Sequence, residues 1–268
     1  MQETAGRSAS SDRSSDLAPL PTFLVIGAQK SATRWLRANL GRHPDVYASP
    51  YELGFFNSPK RFGTLGVDWY RAQFDGWEGE AIVGEATPGY MMWRHEPQVV
   101  AQRIKATVPD VRLIAILRNP VDRANSAMVH HIKYERLHPR STLLELAQRK
   151  APEDDRLGLV AGGWFAASLK PFRELFGDQL LVLLHDDIRD DARRVYQVAL
   201  DHVGATPGFV PPELDELVFS NQQGESAQWR RDVSPEVREE LYRYFRDDLR
   251  ELEQMIGRDL TIWEPAQS

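Results

Sequence analysis

The chain has 268 residues, 42% of them hydrophobic and 27% charged, with a formal net charge of −6 and no cysteine. This balance is ordinary for a globular protein and argues against a general nucleic-acid binder, which needs excess positive charge. The missing thiols exclude disulfides, thiolate catalysis and cysteine-ligated metals, and no apolar run reaches the length of a membrane span; a reducing, cytoplasmic setting is expected.

Residues 1–20 are Ser-rich and polar. They lack the apolar core of a secretory signal and read as a disordered leader before one domain, 21–268. Phe23 to Ile26 is a short apolar run of the kind that forms a buried strand, ended by Gly27. From about Ser31 the pattern becomes helical, with Trp35, Leu36 and Leu40 on one side. Val46-Tyr47-Ala48 reads as a short extended piece, and residues 57–66, with Pro59, Gly63 and Gly66, as a surface loop. A helix is expected over 68–74, a strand over 81–85, a helix over 97–108 and a strand over 111–117. That strand runs into Arg118-Asn119-Pro120, and a helix follows from Val121 through Tyr134. Helices follow near 143–150 and over 164–176, then a strand over 179–184 and an amphipathic helix over 190–203. Residues 204–233 read as mostly loop. Ser234-Pro235-Glu236 starts a last helix that reaches about Met255.

Strands alternating with helices predict an α/β fold: a single domain with a central parallel sheet flanked by helices on both faces. Ligands of such sheets bind beyond the carboxyl ends of the strands. Lys30, Glu85 and Arg118 each follow a predicted strand and so fall along one rim. Between the first strand and first helix lies Gly27-Ala28-Gln29-Lys30-Ser31-Ala32-Thr33. The unpaired amides and positive dipole end of the helix, the Lys30 ammonium and the hydroxyls of Ser31 and Thr33 suit an anion. An ordinary turn with a solvated lysine is the alternative. The Walker A pattern does not fit, because Gln29 precedes the Lys-Ser pair and only two residues separate Gly27 from Lys30.

Taken together, these positions resemble the sulfotransferases that use 3′-phosphoadenosine 5′-phosphosulfate (PAPS), in particular the branch of the heparan sulfate sulfotransferase domains and their bacterial relatives. Four blocks carry the resemblance, which runs from about Phe23 to Trp263. Residues 27–33, with a glycine usual where Ala32 stands, resemble the 5′-phosphosulfate loop. Glu52-Leu53-Gly54-Phe55-Phe56 with Gly66-Val67-Asp68-Trp69-Tyr70 resembles the block that opens on the proposed base. Residues 117–126 resemble the 3′-phosphate block, in which Arg118 and Ser126 are the expected ligands. Residues 163–169 resemble the helix start after a variable region.

The resemblance implies a P-loop-like fold, PAPS as co-substrate without a metal, and in-line transfer to a hydroxyl, or less readily an amine. The acceptor would be a small molecule, a glycan or a lipid-linked hydroxyl, with no nucleic-acid partner. It places Gln29, Lys30, Ser31, Ala32, Thr33 and Arg34 around the donor. It also gives Lys30 the leaving phosphate and Glu52 the acceptor proton. Glu85 is a second candidate base, or a holder of the acceptor; a structural pairing with Arg34 is its other reading. Partial desolvation beside Phe55 and Phe56 would raise the basicity of Glu52. Two departures stand out. The heparan enzymes have Glu-Lys where this chain has Glu85-Ala86, which weighs against a sulfated polysaccharide. The Lys-Gly-Arg-like loop that grips the nucleotide has its nearest counterpart in 222–230, with Arg230 or Arg231 as the substitute.

Arg123 stays ambiguous between a role in the 3′-phosphate block and a surface salt bridge. His130 and His131 are adjacent, so they diverge by about 100° on a helix and make no metal pair; they read as acceptor-side or solvated. A P-loop-type kinase or NTPase, and an inactive nucleotide-binding protein, are the competing functions. The first lacks an Asp at the end of strand 111–117, where magnesium would want one.

Overall fold

The computed structural model describes residues 18–148, 155–214 and 232–265. Five strands form one sheet: β1 (Phe23–Gly27), β2 (Val46–Ala48), β3 (Ile82–Ala86), β4 (Arg112–Leu117) and β5 (Leu180–Leu184). Their order is β2-β3-β1-β4-β5, and every neighbouring pair is parallel. The connections carry α1 (Thr33–Leu40), α2 (Gly66–Arg71), α3 (Pro97–Thr107), α4 (Pro120–Lys133), α5 (Leu143–Gln148) and α6 (Phe165–Phe176). After β5 come α7 (His185–Asp190), α8 (Ala192–Val203), α9 (Pro235–Tyr242) and α10 (Arg246–Ile256).

The central strands are apolar without alternation because both faces are covered. In β1, Leu24 and Ile26 enter one core and Phe23 and Val25 the other; in β4, Leu113, Ala115 and Leu117 part from Ile114 and Ile116 in the same way. The first core is completed by α3, α4, α6 and α10, the second by α1 and α8. The expected parallel sheet between two helical layers is the observed one.

Three expectations of local structure change. Residues 60–65 are a π-helical turn rather than open loop. Pro59 precedes it and Gly66, at φ +76°, ends it, so two of the three residues read as breakers are its bookends while Gly63 lies within it. The helix expected over 190–203 begins at Ala192, because Asp191 is extended and its side chain accepts the Arg194 amide at 2.9 Å, capping α8. A separate short helix, α7, precedes it. The last helix is two, joined by tight bonds from Tyr244 N to Leu241 O and Phe245 N to Tyr242 O, a break that carries Phe245 into the core. At the other end, Ala18 and Leu20 already pack on the first core, and Arg71 donates to the Ala18 carbonyl at 3.1 Å.

Candidate active site

The strand order reverses direction around β1, so a crevice opens between the carboxyl ends of β1 and β4. The loop leaving β1 is held by the Ala28 amide, which donates to Ile116 O of β4 at 2.8 Å. Gly27 has to be glycine here, since a Cβ would lie 2.1 Å from the Met91 side chain. Lys30 and Ala32 both take left-handed backbone angles, φ 70° and 68°. The chain therefore coils tightly before α1, and no side chain caps that helix. An alanine at this position meets a steric cost that a glycine would avoid.

The loop is built for a ligand with many acceptor oxygens. The amides of the first turn have no partner inside the helix. Ser31 is fully buried and its hydroxyl has no partner; the Gln29 Oε1 is buried and unpartnered as well. A buried hydroxyl left free is costly unless something else fills the hydrogen bond, and an oxyanion fits that need. Thr33 is buried and Arg34 exposed. Burial lowers the pKa of Lys30 below its ordinary value; the charges of Arg118 and Arg34 push the same way, Glu52 opposes them, and Lys133 adds to the lowering. The positive charges converge on one point, and Glu52 is the carboxylate acting on it.

Arg118, at the end of β4, is half-buried and its Nη1 donates to the Lys30 carbonyl at 3.3 Å. The two strand ends are thereby joined. Asn119 caps α4 by accepting the Val121 and Asp122 amides at 3.0 and 3.2 Å, which fixes the turn carrying Arg118. Ser126 is half-buried on α4. By helical spacing His130 and Lys133 lie on the same face. His130 is held neutral, its pKa lowered to about 4, first by burial and then by the Lys30 charge.

The two candidate carboxylates differ sharply. Glu52 is exposed, so the desolvation expected from Phe55 and Phe56 is not found; both rings point into the core, where Phe55 stacks on Tyr70 at 4.3 Å. Glu85 is fully buried and accepts the hydroxyls of Thr87, Tyr90 and Tyr70. The alternative pairing with Arg34 is therefore replaced by three neutral donors. Burial raises the pKa of Glu85 against these hydroxyls, which lower it.

Other sequence expectations also change. Arg123 is not a surface residue. It is fully buried and donates to the carbonyls of Gly158 and Leu159, and burial brings its pKa down to about 10. His131 is buried too, with Nε2 against Leu157 O at 3.2 Å, so it is not solvated. Arg230, and the whole 222–230 stretch, lie outside the described residues. Two groups join the site that sequence reading missed. Arg37, half-buried on α1, feels the charges of Arg34, Glu52 and Glu85. His185 follows β5 and is held neutral, at about 4, by burial and by Arg118. The rule that put Lys30, Glu85 and Arg118 on one rim applies equally to the residue after β5 and would have found it.

The comparisons with known proteins decide the family. The model of the sulfotransferase domain matches residues 20–251. The chain belongs to the sulfotransferase family. A crystal structure of a sulfotransferase from Alicyclobacillus acidocaldarius superposes with a TM-score of 0.74 at 30% identity, covering 92% of this chain and 99% of that one. Mouse heparan sulfate glucosamine 3-O-sulfotransferase 3B1 is 30% identical over 259 residues, 90% of this chain and 64% of the relative. Human heparan sulfate glucosamine 3-O-sulfotransferase 6 is 33% identical over 156 residues, 58% of this chain and 44% of the relative. The chain thus spans about half to two thirds of the length of these curated relatives. Among the described residues no helix is long and apolar enough to cross a membrane.

Proposed function

We infer that this sulfotransferase takes the sulfuryl group from PAPS and passes it in line to a hydroxyl of its acceptor. The observation that carries this reading is the loop after β1. It combines a buried, unpartnered Ser31 hydroxyl, an uncapped helix start and a half-buried Lys30 joined to Arg118. In this reading the amides and hydroxyls from Gln29 to Arg34 hold the 5′-phosphosulfate, and Arg118 and Ser126 hold the 3′-phosphate. The positive charge of Lys30 and Arg118 serves where a kinase would use magnesium.

The acceptor oxygen attacks sulfur as the bond from sulfur to the bridging phosphate oxygen breaks. The hydroxyl proton goes to the Glu52 carboxylate, and the electron pair of the broken bond stays on the phosphate, beside the Lys30 ammonium. Most of the acceleration then comes from alignment and from stabilising that leaving charge. Glu52 suits the base role because it is open to an incoming acceptor and lies within the field of Lys30. The acceptor class is a hydroxyl on a glycan, a lipid-linked group or a small molecule. The names of the relatives favour a glycan. Ala86, buried at 2% exposure where the resemblance to heparan sulfate sulfotransferases leads one to expect lysine, weighs against a sulfated polysaccharide.

The test is incubation with sulfur-labelled PAPS and a panel of hydroxylated acceptors, beside thermal shifts with the bisphosphate product, ATP and ATP with magnesium. Stabilisation by the bisphosphate without metal, and label transfer that Glu52→Gln lowers by about 10²–10⁴-fold at unchanged donor affinity, are expected. Stabilisation by ATP with magnesium alone would replace this reading with a kinase.

A further inference from the structure

The hydrogen bonds around Glu85 are directional. Tyr90 OH donates to Oε1 at 2.5 Å and Thr87 Oγ1 to Oε2 at 2.6 Å, with Tyr70 OH a third donor at 3.2 Å. Each hydroxyl has one proton. With that proton committed to Glu85, the hydroxyl oxygen is free to accept. The Thr87 oxygen accepts the Gly54 amide at 3.0 Å and the Tyr90 oxygen the Phe55 amide at 3.1 Å. Arg61 closes the turn from its other side, donating to the Leu53 carbonyl. The residue immediately before this clamped turn is Glu52. Glu85 itself is fully buried and makes no ion pair among the described residues.

We propose that Glu85 is a positioning residue: through the Thr87 and Tyr90 hydroxyls it clamps the Leu53–Phe55 turn and so aims the Glu52 carboxylate at the acceptor, without touching donor or acceptor itself. This rests on Glu52 being the base. A buried acceptor-only group is what the wiring requires, because a carboxylate accepts on both oxygens. Glutamine keeps the shape but turns one oxygen into an amide nitrogen. The hydroxyl facing that nitrogen loses its acceptor, and its own proton must point elsewhere inside a closed network, where it competes with a loop amide.

The test compares Glu85→Gln, Tyr90→Phe, Thr87→Val and Glu52→Gln by steady-state kinetics across pH, and by hydrogen exchange of peptides covering 51–57. Glu85→Gln should lower kcat by about 10²-fold, the order expected for a displaced catalytic group, at unchanged donor affinity. It should keep the rising acid limb, because the Glu52 base is still present. Tyr90→Phe should lower kcat in the same direction, and adding it to Glu85→Gln should cost little more, since both break one network. Exchange at 53–55 should quicken in both. If Glu85→Gln erases the acid limb while Tyr90→Phe and Thr87→Val turn over normally, Glu85 is itself the base and the proposal is wrong. Unchanged exchange at 53–55 in the folded variants overturns it too, and Tyr90→Phe decides should Glu85→Gln not fold. A wild-type protein that never turns over PAPS would sink the sulfotransfer reading instead, while the exchange data still read the clamp.

Discussion

Arg118 is the side chain on which both strand ends depend, since it reaches from the end of β4 to the Lys30 carbonyl. Its fork of donors suits a phosphate, and removing a charge-assisted contact costs roughly 1.5–3 kcal/mol. Arg118→Ala should therefore weaken binding of the bisphosphate nucleotide by about ten- to more than a hundredfold, measured by calorimetry on the folded variant. Unchanged affinity would remove Arg118 from the 3′-phosphate. Lys30 makes a prediction of opposite kind, about pH. Burial and neighbouring positive charges lower its pKa below 10.5, and in the proposed reaction it would stabilise the leaving phosphate only while protonated. Activity is thus retained below the lowered pKa and lost as pH rises through it. A bound donor brings negative charge and raises that pKa again. The alkaline limb of kcat/KM, which reports the free enzyme, should fall at lower pH than that of kcat. Coinciding limbs would show that Lys30 does not face the donor.

Each helix that matters to the site begins in a different way. The start of α4 is local: Asn119 caps and Pro120 follows, one residue ahead of the start expected at Val121. The start of α1 is left uncapped, with Ala32 in the left-handed region. Ala32→Gly should remove that steric cost and stabilise the fold by about 0.5–1 kcal/mol after the extra chain entropy of glycine is counted, as read from denaturant midpoints. Destabilisation would mean that Ala32 is not held at positive φ. The start of α6 is capped from far away. Asp248 of α10 accepts the Ala166 and Ala167 amides, each at 3.0 Å. No pattern near residue 165 announces this cap, because its donor and acceptor lie about eighty positions apart.

The carboxyl-terminal segment ties the site into the fold. Trp263 is buried at 1% exposure; its Nε1 donates to Asp186 at 2.7 Å, beside the end of β5, and its carbonyl accepts from Asn119 at 3.0 Å, beside Arg118. Trp263→Ala should cost about 3–5 kcal/mol, the range for emptying a large aromatic site, and show as a lower denaturation midpoint. The main-chain carbonyl at 263 remains, but without the indole the segment loses its hold on Asp186 and on the core, so its bond to Asn119 should loosen and nucleotide affinity should fall with it. A stable variant with normal affinity would show that the segment only covers the core. Asp122 adds a second tie, to Arg238 of α9 at 2.7 Å, which fastens the helix carrying Ser126 to the last third of the chain.

The sequence by itself determined the order of the main strands and helices, the parallel sheet, and the place of Lys30 and Arg118 just past β1 and β4, whereas Glu85, read as following its strand, lies buried within β3. The features it determined follow from signals within a few residues: apolar period, glycine and proline positions, and a residue's place just past a strand. It did not determine what each charged group faces. Glu52 and Glu85 are both carboxylates near aromatic residues in the chain, yet one is exposed and the other sealed beneath three hydroxyls. Arg123 was open to a surface salt bridge and is fully buried. Burial and hydrogen-bond direction are set by segments distant in the chain, such as Tyr70 and Tyr90 closing over Glu85, and they come into being only when the sheet and its two helical layers pack together.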